Sequence, residues 1–105
     1  MSTPLNPIKR CLTATEIVTA LAKLQGWKLV GDGQDLAIEK TFEFVNYYEA
    51  LAFVNAQAFI AHRQDHHPEL TLSYKHCVLR FNTHDVQGLS LQDFESATQV
   101  DALFI

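Results

Sequence analysis

The stretch LAIEKTFEF at 36–44, followed almost at once by NYYEALAFVNAQAFIAHRQ at 46–64, decides the fold. In the first segment Leu36, Ile38, Phe42 and Phe44 alternate with Ala37, Glu39, Thr41 and Glu43. That period of two marks a strand with one face in a core, and Lys40 is its one polar exception. In the second segment Asn46 can cap a helix that runs to about Gln64. Tyr47, Ala50, Leu51, Val54, Ala58 and Ala61 form its apolar stripe. Phe53 and Phe59 fall off that stripe. The helix therefore carries apolar surface on more than one side and has a second face to bury, such as a contact with another subunit.

The pattern extends outward from this pair. On the N-terminal side Thr13-Ala14-Thr15-Glu16 is a capping box, with Ile17, Ala20, Leu21 and Leu24 at helical spacing and Gly26 in position to end the helix. This predicts a helix over 14–25, then a short strand over 27–30 and a turn at Gly31-Asp32-Gly33. On the C-terminal side, strands are expected over about 70–75 and 77–83, reversing at Lys75-His76. Cys77, Leu79 and Phe81 alternate there with Val78, Arg80 and Asn82. Gly88 ends a loop, and Ser90-x-x-Asp93 opens a last helix through Phe94, Ala97, Val100 and Phe104. Two hairpins separated by helices make an α+β domain: a four-stranded antiparallel sheet with three helices on one face. Residues 13–105 read as that single domain. Residues 1–12, with Pro4 and Pro7, read as a flexible arm.

Composition narrows the function classes. The chain has 105 residues, 48% hydrophobic and 19% charged, which suits one globular domain. A net charge of −4 gives no bulk attraction to nucleic acid or to an anionic membrane. No apolar stretch approaches the ~20 residues of a membrane span, and the first residues lack a signal core. The two cysteines, Cys11 and Cys77, have neither CxxC nor zinc spacing and read as reduced thiols. A cytoplasmic protein is the expectation.

The chemistry-bearing feature is the placement of histidines. His62, His66, His67 and His84 fall around the loops that leave the second helix and the last strand. In an antiparallel layer those ends can meet on one rim. Imidazole titrates near neutrality, so several together suit a reaction that removes one proton and donates another. Pro68 biases His67 toward an extended backbone, which sets the two adjacent rings pointing apart. Asp65 and Asp85 flank the histidines and can orient an imidazole or bind a polar ligand. Asp93 reads most simply as an acid in the first turn of the last helix, and Trp27 as a core or rim aromatic. Zinc is the competing reading, but only His62–His66 has the i, i+4 spacing, and adjacent His66 and His67 do not easily reach one metal.

The spacing His62-x-x-x-His66-His67-Pro68, five residues to Tyr74, nine to His84 and eight to Asp93 resembles the signature of the pterin-4a-carbinolamine dehydratase family. Leu24-x-Gly26-Trp27, Phe42-x-Phe44 and Thr83-His84-x-x-x-Gly88-Leu89-Ser90-x-x-Asp93 resemble further family segments, so the likeness covers about residues 12–104. The resemblance implies a hydro-lyase that converts 4a-hydroxytetrahydropterin, such as the biopterin form, to quinonoid dihydropterin and water, recycling the tetrahydropterin cofactor. It implies His66 and His84 as the acid–base pair and His67 holding and polarising the pterin, sharing in proton transfer. Asp65, Asn82, Thr83 and Asp85 would contact substrate, and Trp27 and Pro68 would wall the pocket. His62 and Asp93 would be supporting; animal members usually carry a carboxylate where this chain has His62. No metal or organic cofactor is implied, since the pterin is the substrate, and members form homodimers or homotetramers. The competing reading is a non-catalytic module, either pterin-binding or supporting transcription-factor dimerisation as in some animal relatives; the complete histidine set favours the enzyme.

Overall fold

The computed structural model describes residues 10–104. Its elements are α1 (Ala14–Leu21), β1 (Lys28–Val30), β2 (Ala37–Glu43), α2 (Tyr47–Gln64), β3 (Glu69–Ser73), β4 (His76–Phe81) and α3 (Leu91–Asp101). Short 3-10 turns occur at Gly33–Asp35, His84–Val86 and Ala102–Phe104. The four strands form one antiparallel sheet in the order β1-β2-β4-β3, with three helices: an α+β fold.

Register sorts the side chains. Ile38 faces Phe81 across β2 and β4, and Phe42 faces Cys77; on the far side Leu70 faces Leu79 and Leu72 faces Cys77. Pleating puts these on one face, where they meet Ile17, Phe53, Ile60, Phe94, Ala97 and Val100 of the helices in a single core. The other face carries the ladder Glu39–Arg80–Glu69 and the pair Glu43–His76, joined at 2.8 Å. Lys40 is on the core face. Its Nζ lies over the Trp27 and Phe42 rings, 5.9 and 5.0 Å from their centroids, and donates to Asp101 Oδ1 at 2.9 Å. A long side chain can cover apolar surface while its head stays polar, so the exception does not break the strand.

Several boundaries differ from expectation. α1 ends at Leu21, because the chain tightens into i→i+3 bonds from Lys23 and Leu24 before Gly26 turns it. The second hairpin reverses one residue early, with Tyr74 taking the left-handed conformation at φ 52°. β4 ends at Phe81; beyond it Thr83 bridges Gly88 in isolation. In α2 the buried stripe is Ala50, Phe53, Gln57, Ile60 and Ala61, while Tyr47 is 44% exposed. Phe53 therefore belongs to the core stripe and Tyr47 does not. Most of the expected N-terminal arm lies outside the described residues. Leu12 is described and is buried, its amide donating to the Leu89 carbonyl at 2.8 Å, so the packed unit takes it in.

Candidate active site

α2 ends where the site begins. Its last turn closes with the Asp65 amide donating to His62 O (3.2 Å) and the His66 amide to Ala61 O (3.1 Å). This is the Schellman pattern, and it needs a left-handed residue, which Asp65 supplies at φ 51°. The reversal drives His66 inward, 9% exposed, with its ring stacked on Phe81 at 5.8 Å and 12°. His67, the next residue, is left exposed. The two neighbours thus differ in burial, though both line one cleft.

Buried His66 meets a carboxylate 27 residues away. His66 Nε2 lies 2.5 Å from Asp93 Oδ1, and Asp93 is fully buried. The other oxygen, Oδ2, accepts from Thr83 Oγ1 at 2.7 Å and from the Ser90 amide at 3.0 Å. Ser90 Oγ accepts from the Gln92 amide and lies 2.7 Å from Thr83 Oγ1. Thr83 has one hydroxyl hydrogen, which goes to Asp93, so Ser90 donates to Thr83. Donor accounting then puts the Nε2 proton on His66, directed at Asp93, and leaves Nδ1 as the nitrogen open to chemistry in the neutral ring. Asp93 is at once the capping-box acid of α3 and the partner of His66.

His84 comes from a different segment. The Thr83–Gly88 bridge closes a loop whose tip is the 3-10 turn His84–Val86, with Gln87 left-handed at φ 56°. Asn82 fastens the base of this loop, donating to Leu36 O at 2.7 Å and to Gln34 O and Gly88 O at 3.3 Å. An open cleft of about 250 Å³ results, lined by Asp65, His66, His67, Asn82, Thr83, His84, Asp85 and Gln92.

All three histidines expected to act are therefore brought together, with Asp65, Asn82, Thr83 and Asp85 around them. Thr83 and Asn82, expected as substrate contacts, spend their hydroxyl and amide hydrogens on the scaffold. Trp27 is corrected: it is a core residue, 6% exposed, tilted against Phe81 at 5.8 Å and donating from Nε1 to Asp101 at 2.9 Å. Phe81 stands between it and His66, so Trp27 does not wall the cleft. Pro68 is also outside the lining. His62 lies on the outer side of α2 beside Asn55, Ala58 and Phe59, away from the cleft. Gln92 was not anticipated. It is buried and ties α3 to the end of α2 through Gln64 O at 3.1 Å, and no local motif signals a contact of that sequence separation. Among the described residues no group of three or more His, Cys, Asp or Glu side chains is placed to hold a metal ion.

The chain is similar to several known proteins. A Paracidovorax citrulli protein is 61% identical over 95 residues, covering 90% of this chain and 82% of its own. A Bdellovibrio bacteriovorus protein is 49% identical over 102 residues, covering 93% and 82%. The names of both give pterin-4-alpha-carbinolamine dehydratase as an inferred activity. The crystal structure of a transcriptional coactivator/pterin dehydratase from Brucella melitensis superposes with a TM-score of 0.83 at 31% identity, covering 90% of this chain and 98% of that one. A pterin dehydratase-like RuBisCO assembly factor of the alpha-carboxysome shares the fold, with a TM-score of 0.64 at 21% identity and coverage of 75% and 89%. The profile of the family described as pterin 4 alpha carbinolamine dehydratase matches residues 10–103, which include the cleft and its buried His66–Asp93 pair, and the chain belongs to that family.

Proposed function

We propose that the chain is a hydro-lyase that dehydrates 4a-hydroxytetrahydropterin, with His66 as base and His84 as acid. The observation that carries this reading is the buried His66–Asp93 pair in the same cleft as His84. Asp93 holds the His66 ring in one tautomer and stabilises the imidazolium formed when Nδ1 takes the N5 proton. The N5–H electron pair becomes the N5–C4a double bond as the C4a–O bond breaks. His84 protonates the departing hydroxyl, which leaves as water. Each proton transfer of this kind contributes about 10²–10⁴-fold. His67 lies exposed at the cleft and would hold and polarise the pterin. Asp65 and Asp85 also line the cleft and would contact the ring. The reaction moves only protons and water, so the proposal includes no metal or organic cofactor.

The test is turnover of synthetic 4a-hydroxytetrahydropterin before and after exhaustive chelation. Activity is expected to survive chelation. His66→Ala and His84→Ala are each expected to lower kcat by about 10–10³-fold, or ~1.4–4 kcal/mol of transition-state stabilisation. The double variant is expected to lose less than the sum, and His67→Ala to act mainly on KM. Wild-type rates in folded His66→Ala and His84→Ala variants would sink the mechanism. A folded wild type that binds pterin without turnover would favour a non-catalytic role, to which the coactivator part of the Brucella protein's name lends the second reading.

A further inference from the structure

A second polar cleft of about 250 Å³ is lined by Asp35, His67, Glu69, Arg80 and Asn82. It shares His67 and Asn82 with the histidine cleft, so the two recesses adjoin. Its walls come from the polar face of the sheet, where Glu69 and Arg80 are cross-strand partners. Arg80 Nη2 donates to the Asp35 carbonyl at 2.6 Å, and Nη1 lies 3.5 Å from Glu69 Oε2, too far for a good hydrogen bond. A guanidinium has five N–H donors. Among the described residues only one of them is in a hydrogen bond. Two carboxyl groups and one guanidinium thus offer acceptors and donors together, without net positive charge.

Substrate chemistry decides what lies next to the reacting edge. In a 4a-hydroxytetrahydropterin the proton leaves N5 and the hydroxyl leaves C4a, while the variable substituent sits on C6, which is bonded to N5. A pterin with its N5–C4a edge at the histidines must project that substituent from the atom beside the reacting one. His67 stands at the junction of the two clefts, where such a substituent would cross.

We infer that Arg80, Glu69 and Asp35 form a subsite for the C6 substituent, selecting a neutral, hydroxyl-bearing chain over an apolar or anionic one. The inference rests on the dehydratase reading for the pose of the ring. A hydroxyl can accept from the guanidinium and donate to a carboxylate. A methyl group there displaces water from these polar groups and returns no hydrogen bond, which is costly. An anionic substituent meets Asp35 and Glu69 as like charges.

The test is equilibrium binding, by fluorescence quenching, of three stable oxidised pterins that differ at C6: dihydroxypropyl, methyl and carboxylate. Wild type, Arg80→Lys and Glu69→Gln are compared. The dihydroxypropyl pterin is expected to bind wild type about tenfold more tightly than the other two, equivalent to ~1.4 kcal/mol. Both substitutions are expected to reduce that ratio severalfold. Glu69 is on an edge strand and exposed, so its variant keeps the test valid should Arg80→Lys loosen the Asp35 loop. Equal wild-type affinities, a ratio unchanged in both variants, or no binding of any pterin overturns the subsite. Turnover separates the two claims: discrimination without dehydration sinks the enzyme reading and keeps the subsite, whereas dehydration without discrimination sinks the subsite alone.

Discussion

His66 and His67 are chemically identical neighbours, yet one is 9% exposed against a buried carboxylate and the other is open to the cleft. What separates them is a single left-handed residue, Asp65, and a partner 27 positions on. The histidine set was legible in the sequence, because four of five histidines crowd two chain reversals. The partner was not. Ser90-x-x-Asp93 has the form of an ordinary capping box, which accounts for the acid without any second role, and Asp93 fills both. Trp27 read from the residues as a core or rim aromatic and as a pocket wall only by resemblance; it packs inward, and an aromatic next to a helix-ending glycine looks the same in sequence either way. The double duty of Asp93 has a consequence. Asp93→Asn keeps the shape but offers an amide that can donate to Nε2, favouring the opposite tautomer. The expected result is a kcat lower by about 10–10³-fold with KM changed far less. Imidazole ¹⁵N NMR is expected to show the proton of His66 on Nε2 in the wild type and on Nδ1 in the variant. An unchanged tautomer and an unchanged kcat would remove Asp93 from the mechanism.

At the scale of elements, ends were harder to read than middles. α2 begins after Asn46 and ends at Gln64 as the cap and the period predict, because Asn46 Oδ1 accepts from the Glu49 amide at 2.8 Å. The hairpin turn at Tyr74 carries no glycine or asparagine, so local chemistry could not mark it. The stripe of α2 slipped because its apolar residues occupy two sides, and only the sheet decides which side is inner. The start of α1 was legible and is reinforced by a contact from outside the capping box. Arg10 grips Glu16 with Nη1 at 2.9 Å and Nη2 at 2.7 Å, and the Thr13 amide donates to Glu16 Oε1 at 2.9 Å. These bonds, that from Arg10 foremost, hold the Glu16 carboxyl down at about 2. A carboxyl depressed on folding stabilises the native state above its ordinary pKa, and the effect is lost as pH falls toward the depressed value. The clamp is therefore expected to weaken between about pH 4.5 and 2. Carbon-13 NMR titration of the Glu16 carboxyl is expected to give a midpoint near 2, rising in Arg10→Ala. A wild-type midpoint near 4.5 would show that the clamp does not form in solution.

Among the described residues, one face of the sheet is covered by helices and the outer side of α2 is uncovered. The inner stripe Ala50, Phe53, Gln57, Ile60 and Ala61 is used against the sheet and α3. One turn around the helix, Tyr48 is 83% exposed and Phe59 79%, with Asn55, Ala58 and His62 lining a shallow apolar recess beside Phe59. Scattered exposed apolar residues are normal, but two large aromatics aligned at helical spacing make a stripe, and a stripe of that kind is suited to packing against a second helix. The expected state is a homo-oligomer, dimer or tetramer, joined partly through this face. Two copies related by a twofold axis would pair the same stripe with itself, so one substitution acts twice at each contact. Phe59→Glu places two carboxylates in that contact while touching nothing in the core, since the ring is solvent-exposed within a single copy. Light scattering on the wild type at micromolar concentration is expected to give a mass at least twice that of the 11.9 kDa chain, and Phe59→Glu a smaller one with an unchanged circular dichroism spectrum. A wild-type monomer would remove the claim. An oligomer indifferent to Phe59→Glu would keep assembly but move the contact elsewhere, with the unpaired edge strands β1 and β3 as the next surfaces to test.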